Sequence, residues 1–178
     1  MRTDLDDILG LEQGKVRLCP HTALWTELYA EESRRLRDAL SGRIVDLEHI
    51  GSTAIPGIKA KPILDIMLGV EDLETGPGLL TWLEPLGYYL ATDVAIRNDV
   101  VYARGAARTH LLHVLRYRGP EWNRHLRFRD RLRADPALAR EYEALKEALS
   151  REFADNRPAY TKAKTGFILA IAGDEPGV

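Results

Sequence analysis

The chain of 178 residues contains a single cysteine, Cys19, so it forms no internal disulfide. So sparse a use of cysteine is typical of a protein that works in a reducing compartment. A long apolar run is also missing from residues 1–10, which instead carry three aspartates. These residues therefore predict neither a secretory signal nor a membrane span. We expect a cytoplasmic protein with no membrane partner.

An excess of charge of one sign is absent as well. The 25 Lys and Arg residues are opposed by 27 Asp and Glu residues, which gives a formal net charge of −2 at pH 7. A nearly neutral chain has no overall field that would attract duplex nucleic acid or an anionic membrane. We therefore expect no nucleic-acid duplex as a partner, whereas a local cationic patch could still bind a small phosphorylated ligand.

Repeats, low-complexity segments and linkers are also missing, and 45% of the residues are apolar. A chain of this length can bury a core without disulfides or metals. We therefore expect a single domain over residues 15–173, with an N-terminal arm at 1–14 and a tail at 174–178. A homodimer is left open as the form of assembly.

Hydrophobic periodicity predicts an α/β (α+β) fold in which a mixed sheet is flanked by helices and the C-terminal third is helical. Strands are predicted at residues 43–50, 62–70, 88–92, 100–104 and 109–116, with a turn at 97–99. Helices are predicted at residues 22–40, 79–86, 120–134 and 159–172, and an apolar stripe predicts a further helix over 138–153. This order of elements favours a sheet that is covered mainly on one face.

One ionisable residue, Asp65, interrupts the apolar run that predicts the strand at 62–70. A carboxylate buried in such a strand is costly unless a cation or hydrogen-bond donors compensate it. Two interpretations are open at this point. Asp65 is either a functional carboxylate or one that is capped by backbone N–H groups of the preceding loop.

The loop before that strand contains Gly51, Ser52 and Thr53, which directly follow the strand predicted at 43–50. Glycine permits a positive φ and lets a ligand approach the backbone closely. Serine and threonine add hydroxyl and open N–H groups, which suit a phosphate oxygen. Because ordinary helix N-caps look similar, the loop becomes a specific signal only together with Asp65 on the next strand.

Residues 45–66 resemble the signature of the GrpB family, whose members are similar to nucleotidyltransferases. The likeness extends over residues 15–171, and further matching motifs lie at 16–20, 108–114, 120–130 and 160–164. In the nucleotidyltransferase superfamily, Gly-Ser holds nucleotide phosphates and carboxylates on the next strand bind divalent metal. The resemblance therefore implies a nucleotidyltransferase-like mixed sheet. Some family members occur as a domain attached to dephospho-CoA kinase, which implies an accessory role as the alternative.

The metal site that the resemblance implies, for Mg²⁺ or Mn²⁺, would be built on Asp65. A two-metal transferase needs a second carboxylate two residues later on the same strand face, but Met67 occupies that position. A thioether is a poor ligand for a hard cation, so the usual pair is incomplete. Glu48 is the candidate for the second carboxylate, with a simple salt bridge as its other interpretation. By strand parity, its neighbour His49 faces the opposite way.

His113 is the candidate histidine, either as a metal ligand or as a general base. Its other interpretation is a core histidine with a satisfied hydrogen bond. His110, three residues earlier, should point to the opposite face of the sheet. The family commonly has a histidine at position 111, and Leu111 stands there in this chain. That departure removes one partner from a site with two histidines on one face.

Basic residues near the matched motifs are the candidates for binding phosphate through charge-assisted hydrogen bonds. Lys61 directly precedes the Asp65 strand and is placed best for this role. Tyr160 and Lys164 are four residues apart and share one face of a predicted helix. The remaining candidates are Arg104 and Arg108. Four further arginines are interpreted as the solvated face of a helix, not as a surface for nucleic acid: Arg127, Arg129, Arg131 and Arg133.

Two functions follow from these residues and from the resemblance. The first is a nucleotidyltransferase-like enzyme that binds a nucleotide or phosphorylated small molecule and transfers a nucleotidyl or phosphoryl group, or has a repurposed reaction. The second is a non-catalytic ligand-binding or accessory module. Met67 favours the module, whereas the retained Ser52, Asp65 and His113 favour the enzyme.

Overall fold

A five-stranded mixed sheet forms the centre of the protein in a computed structural model that describes residues 8–94 and 100–173. Its strands are β1 Asp46–Ile50, β2 Leu64–Val70, β3 Tyr88–Leu90, β4 Val100–Arg104 and β5 His110–Arg116. The spatial order is β1-β2-β5-β4-β3, in which β2 and β5 are parallel and the other neighbours are antiparallel. The fold class predicted from the sequence is therefore confirmed, while the predicted turn at 97–99 lies outside the described residues.

Helices account for most of the remaining chain. They are α1 Leu24–Ala39, α2 Leu80–Leu83, α3 Pro120–Ala134, α4 Pro136–Glu152, α5 Arg157–Ala163 and α6 Thr165–Ala172. Three 3₁₀ segments lie at Ser52–Ala54, Leu73–Leu79 and Glu84–Leu86. The Asp135 side chain separates α3 from α4, because it accepts hydrogen bonds from the amides of Ala137 and Leu138.

The ends of several predicted elements were wrong. β1 begins at Asp46 and not at residue 43, because the Arg43 amide still closes the turn after α1 by donating to the Leu40 carbonyl. The helix predicted at 79–86 is one α-helical turn between two 3₁₀ segments, which contain Pro77 and Pro85. Proline lacks the amide that a longer helix would need.

The final helix predicted at 159–172 is two helices. Pro158 lies in the first turn of α5, and the Asn156 side chain caps that turn by accepting from the Ala159 amide. At Lys164 the amide donates to Thr161, which tightens the last turn of α5 before α6 begins. The bend at Lys164 matters because it sets the position of that side chain.

Both faces of the sheet are covered, so the expectation of a sheet covered mainly on one face was wrong. On the α1 face, Leu36 of α1 and Leu83 of α2 pack with Ile66, Leu68 and other strand residues. The α3 face packs a cluster of Ile50, Met67, Leu115 and Trp122. Trp122 approaches β2 closely at Gly69, where an added Cβ would lie 2.9 Å from its ring.

The described part of the predicted N-terminal arm packs against the domain. Leu9 and Leu11 are buried in two separate apolar clusters. Leu11 also forms an isolated β-bridge with Arg108, and Cys19 forms another with Ala60. Residues 8–19 therefore run along the amino ends of β2 and β5, next to the predicted site.

Candidate functional site

Asp65 lies on the α3 face, directly opposite Ile50 at the end of β1. The chain leaves β1 through Gly51, which has a φ of +70°. A Cβ at Gly51 would lie 2.5 Å from the Oδ2 atom of Asp65. Two features of this position therefore require glycine. The backbone is left-handed, and the nearby carboxylate leaves no room for a Cβ atom.

Side chains of α3 and α4 hold the backbone of the loop around Gly51. Arg129 donates to the His49 carbonyl at 3.0 Å, and Arg133 donates to the Ala54 carbonyl at 2.8 Å. From α4, the Lys146 ammonium donates to the Lys59 carbonyl. These contacts fix the loop from both of its ends, so the position of Ser52 relative to Asp65 is set by tertiary structure.

Tyr142 of α4 meets the loop at Ser52. Burial raises the pKa of the Tyr142 phenol, and a hydrogen bond with the Ser52 side chain opposes part of that shift. The tyrosine ring stacks on Phe167 and packs edge to face on Phe128, which fixes its position. The phenol thus remains protonated beside the Ser52 side chain.

The Asp65 carboxylate faces two histidines. Its Oδ1 atom is 3.4 Å from Nε2 of His113, which lies opposite Met67 on the neighbouring strand. His125 of α3 is next to His113, with 6.4 Å between the ring centroids. Burial, followed by the charge of His113, lowers the pKa of His125 to about 4, so His125 is neutral near pH 7.

The pKa of Asp65 is below its ordinary value in spite of its burial. Burial is the largest single influence and would raise that pKa, whereas the hydrogen bond and charge of His113 lower it. The positive charges of Lys61 and Lys164 act in the same direction. Asp65 is therefore ionised, and its side chain keeps 24% of its accessible surface.

Three neighbouring lysines are called the lysine cluster: Lys61, Lys146 and Lys164. Asp65 is the carboxylate that acts on Lys61 and Lys164, whereas Glu143 and Glu147 act on Lys146. Burial is the main cause that lowers the pKa of Lys61 to about 7, of Lys146 to about 7 and of Lys164 to about 8. The charge of Lys164 lowers the pKa of both other lysines further. The three ammonium groups thus repel one another in a partly dehydrated space.

The Tyr160 ring lies between two members of the lysine cluster. The ring centroid is 4.4 Å from the Lys164 ammonium and 5.6 Å from the Lys61 ammonium. Within residues 8–94 and 100–173, neither ammonium forms a salt bridge. Asp65 is the carboxylate that raises the pKa of both. One carboxylate does not match the charge of these two lysines.

The structure thus brings together seven of the residues predicted for the site: Gly51, Ser52, Lys61, Asp65, His113, Tyr160 and Lys164. Arg104 lies elsewhere, on the α1 face, where it binds the Glu32 carboxylate at 2.7 Å. Arg108 binds Asp93 through both carboxylate oxygens, at 2.8 and 3.0 Å. Arg108 is nevertheless close enough to lower the pKa of Lys61.

Glu48 and Thr53 are engaged by other residues. Glu48 shares the α3 face with Asp65, but its Oε2 atom accepts from Arg129 at 2.6 Å. The buried Thr53 hydroxyl is 2.9 Å from Nε2 of His49. Within the described parts of the chain, no group of three His, Cys, Asp or Glu side chains could hold a metal ion. The site therefore offers Asp65 and His113 as donors, without a cage made by the protein alone.

Met67 shares the strand face of Asp65, as alternation predicts, but it is fully buried. It packs with Ile50, Leu115 and Trp122 beneath the site. A carboxylate at position 67 would have to enter this apolar cluster. The position that would carry a second metal ligand is therefore part of the core in this chain.

Several residues of the site were not predicted from the sequence. Tyr142 was interpreted as part of an apolar stripe, and Lys146, four residues later, was not considered. A lysine on the buried side of an amphipathic helix was the available signal. His125 lies within the matched motif at 120–130. Arg129 was assigned to a solvated face, which was wrong, because it is buried and binds Glu48.

The GrpB protein family matches residues 15–173. The glutamate-rich protein GrpB of Alkalihalophilus pseudofirmus is 37% identical over 173 residues, which cover 94% of this chain and 99% of that protein. The crystal structure of conserved protein GrpB from Enterococcus faecalis has a TM-score of 0.78 and 32% identity, over 88% of this chain and 94% of that chain. The dephospho-CoA kinase of Mycolicibacterium paratuberculosis is 28% identical over 86% of this chain and 44% of its own length.

A search for membrane spans among the described helices found none of sufficient length and apolar character.

Proposed function

This chain belongs to the GrpB family, and we propose that the site formed by Gly51, Ser52, Asp65 and the lysine cluster binds the polyphosphate of a nucleotide or phosphorylated small molecule. The binding would serve nucleotidyl or phosphoryl transfer. The observation that carries this proposal is the pair of Lys61 and Lys164, which share the single carboxylate of Asp65 and form no salt bridge among the described residues. Partly buried ammonium groups without carboxylate partners are costly unless an anion binds between them.

Polyphosphate has the charge that this site needs. Each phosphate oxygen can accept charge-assisted hydrogen bonds from Lys61 and Lys164. The Gly51 backbone lies against the Asp65 carboxylate, and Tyr142 interacts with the Ser52 side chain on the same loop. A neutral ligand would leave the ammonium charges uncompensated, so we favour an anion with several charges.

A divalent metal fits this site only when it is shared with the ligand. Mg²⁺ is commonly held by one or two carboxylates together with substrate phosphates and water. Asp65 would hold Mg²⁺ or Mn²⁺, with His113 beside it, and the bound ion would neutralise charge on the phosphates.

A thermal-shift panel tests this proposal with ATP, CTP, GTP, UTP and CoA precursors, each with and without Mg²⁺ or Mn²⁺. A ligand at about 100 times its dissociation constant should stabilise the native state by about 2.7 kcal/mol. The Lys61→Met and Lys164→Met variants should lose that shift, while Lys162→Met, an exposed neighbour, should keep it. No shift with any phosphorylated compound would contradict the proposal.

The second candidate is a ligand-binding module without transfer chemistry. Met67 favours it, because the position that a two-metal transferase gives to a carboxylate is filled by an apolar core residue. The similarity to part of a dephospho-CoA kinase is consistent with an accessory role. Phosphate binding through Lys61 and Lys164 that requires no metal and yields no product would favour the module over the enzyme.

A further inference from the structure

The six lysines of the chain differ in what their side chains contact. Lys15 pairs with Asp155 at 2.6 Å, and Lys59 pairs with Glu147. The hydrogen bond to the carboxylate raises the pKa in both cases, so these two amines stay protonated. Lys146 is 1% exposed, and its ammonium donates to the Lys59 carbonyl. Neither a protonated nor a buried amine is an effective nucleophile.

Lys61 and Lys164 are partly exposed, and their nitrogen atoms keep some accessible surface. Neither nitrogen has a hydrogen-bond or carboxylate partner in the described parts of the chain. Both lie against the buried Tyr160 ring, whose centroid is 5.6 Å from the Lys61 nitrogen and 4.4 Å from that of Lys164. These two amines are therefore within reach of a small reagent, and no bond to the protein shields them.

Positive charges crowd Lys61 more than they crowd Lys164. Burial, followed by the charge of Lys164, lowers the pKa of Lys61 to about 7, and Arg157 and Arg108 act in the same direction. The pKa of Lys164 falls only to about 8, because burial lowers it and the charge of Asp65 opposes that shift. Between pH 7 and pH 8, Lys164 is therefore mainly an ammonium ion, while Lys61 is mainly a free amine. Burial and neighbouring cations that favour the free amine activate a lysine as a nucleophile.

We propose that Lys61 is an acylation site, which takes its acyl group from an acyl phosphate whose phosphate is held by Lys164. The inference rests on the proposed function, because the acyl phosphate would occupy the same anion site. Nζ of Lys61 attacks the acyl carbon, so that an amide N–C bond forms and the C–O bond to phosphate breaks. The proton that leaves the amine goes to the departing phosphate, and no further reactant is needed. The acyl group removes the charge of Lys61 and thereby regulates polyphosphate binding.

The test is a mass-spectrometric measurement of the acetylation rate at each lysine of the folded full chain near pH 7. One reagent is acetyl phosphate, and the other is N-hydroxysuccinimidyl acetate, a neutral acyl donor without phosphate. Lys162, which is exposed on α5, is the internal reference. Lys164→Met removes the charge next to Lys61, and Lys162→Met is the matched control. The free energy of unfolding of each variant is measured alongside, and only folded variants are compared.

We expect both reagents to acetylate Lys61 at least about tenfold faster than Lys162. A pKa of about 7 leaves roughly a thousandfold more free amine at neutral pH than an ordinary lysine has, and part of this gain is lost because nucleophilicity falls with basicity. Lys146 also has a pKa of about 7 but should react slowly, because its nitrogen is buried and bonded. With the neutral reagent, Lys164→Met should slow the reaction at Lys61 several-fold, and Lys162→Met should not.

Equal acetylation rates at Lys61 and Lys162 would overturn the proposal, as would faster acetylation of Lys164 than of Lys61. If only the neutral reagent prefers Lys61, the assignment of an acyl phosphate is wrong. A calorimetric titration with pyrophosphate tests the regulation, since a chain acetylated at Lys61 should bind pyrophosphate about tenfold more weakly, and unchanged affinity would contradict it. An unmodified chain that binds no pyrophosphate, but is acetylated selectively at Lys61, would contradict the proposed function and not the acylation site.

Discussion

Both faces of the central sheet bury charged side chains, but the groups around Glu32 contact one another directly, whereas Lys61 and Lys164 beside Asp65 form no salt bridge among the described residues. There, the Glu32 carboxylate contacts Arg104 at 2.7 Å and Arg35 at 3.0 Å, and accepts from the Tyr88 hydroxyl at 2.9 Å. On the α3 face, Asp65 is the carboxylate that opposes Lys61 and Lys164. A buried network with all partners present specifies structure, whereas one that lacks anions is stable only at a cost.

The arginines and lysines of the two faces differ in whether they have carboxylate partners. Arg104 and Arg129 have carboxylate partners and hold elements together. Lys61 and Lys164 form no such pair within the described part of the chain and lie near Asp65. Substitutions on the two faces should therefore have opposite effects on stability, and this difference can be measured.

The largest change in stability is expected on the α1 face. Glu32→Gln leaves Arg104 without its carboxylate and weakens the contact with Tyr88. Removing one partner of a buried ion pair costs about 3–5 kcal/mol, so the free energy of unfolding in urea should fall by that amount. Glu31→Gln, at the exposed neighbouring position, should change it little. Equal stability of the two variants would show that the Glu32 network is not structural.

Lys61→Met is expected to raise the free energy of unfolding, which is the opposite of the effect of Glu32→Gln. Because the pKa of Lys61 falls from 10.5 to about 7 on folding, the unfolded chain binds the proton more tightly, and the free energy of unfolding is reduced. That penalty is complete below pH 7 and disappears as the pH rises to 10.5. The variant should be more stable by roughly 2–4 kcal/mol at pH 7, with a gain that shrinks toward pH 10.5, and should bind pyrophosphate about tenfold more weakly.

A matched lysine tests whether that effect is specific. Lys162→Met removes an exposed lysine from α5 and should alter neither stability nor pyrophosphate affinity. If Lys61→Met instead lowers the stability at pH 7, Lys61 has a structural partner, and the contrast between the two faces fails.

Asp65→Asn is expected to have an intermediate effect, which concerns how pyrophosphate affinity depends on Mg²⁺. Without metal, pyrophosphate affinity should stay the same or increase, because a negative charge beside the ligand is removed. Any gain in affinity from Mg²⁺ should disappear, since an amide replaces the carboxylate that would hold the ion. Glu48→Gln is the control, because Glu48 is bound to Arg129 and should not contribute to the metal. A gain from Mg²⁺ that survives in Asp65→Asn would remove Asp65 from the metal site.

The smallest effect is expected for Tyr142→Phe. The variant keeps the stacked ring and loses the hydroxyl that contacts Ser52. Pyrophosphate affinity should fall a few-fold, with a change of about 1 kcal/mol or less in the free energy of unfolding. Tyr29→Phe removes a hydroxyl bonded to the Leu47 carbonyl at 3.0 Å and should leave the affinity unchanged. Equal affinities in the two variants would show that the Tyr142 hydroxyl does not act through Ser52.

The parts of this site that the sequence could predict are those that depend on strand geometry. Alternation alone placed Glu48 and His49 on opposite faces, and the structure confirms it through the contact of Glu48 with Arg129 and the stacking of His49 on Tyr29. The fold class was predicted for the same reason, since apolar periodicity is a local property.

Other parts depend on contacts between residues distant in sequence. Whether Arg104 reaches the phosphate loop depends on the register of β4 against β5, which pairs it with His110 on the α1 face, where it contacts Glu32. Lys146 appears in the site only because α4 packs on the loop and offers its ammonium to the Lys59 carbonyl. The local sequence contains neither of these contacts, so no periodicity could have predicted them.

Proton uptake on ligand binding tests the central claim most directly, because it reports the lysine cluster itself. Pyrophosphate is titrated into wild type and Lys61→Met near pH 8, in two buffers with different ionisation enthalpies. An anion should return Lys61 to its charged form, since that lysine has a pKa of about 7 in the free protein. The wild type should take up about one more proton than Lys61→Met, a difference that cancels protons bound by pyrophosphate. Equal proton uptake in the two proteins, with equal affinity, would contradict the assignment of the lysine cluster as an anion site.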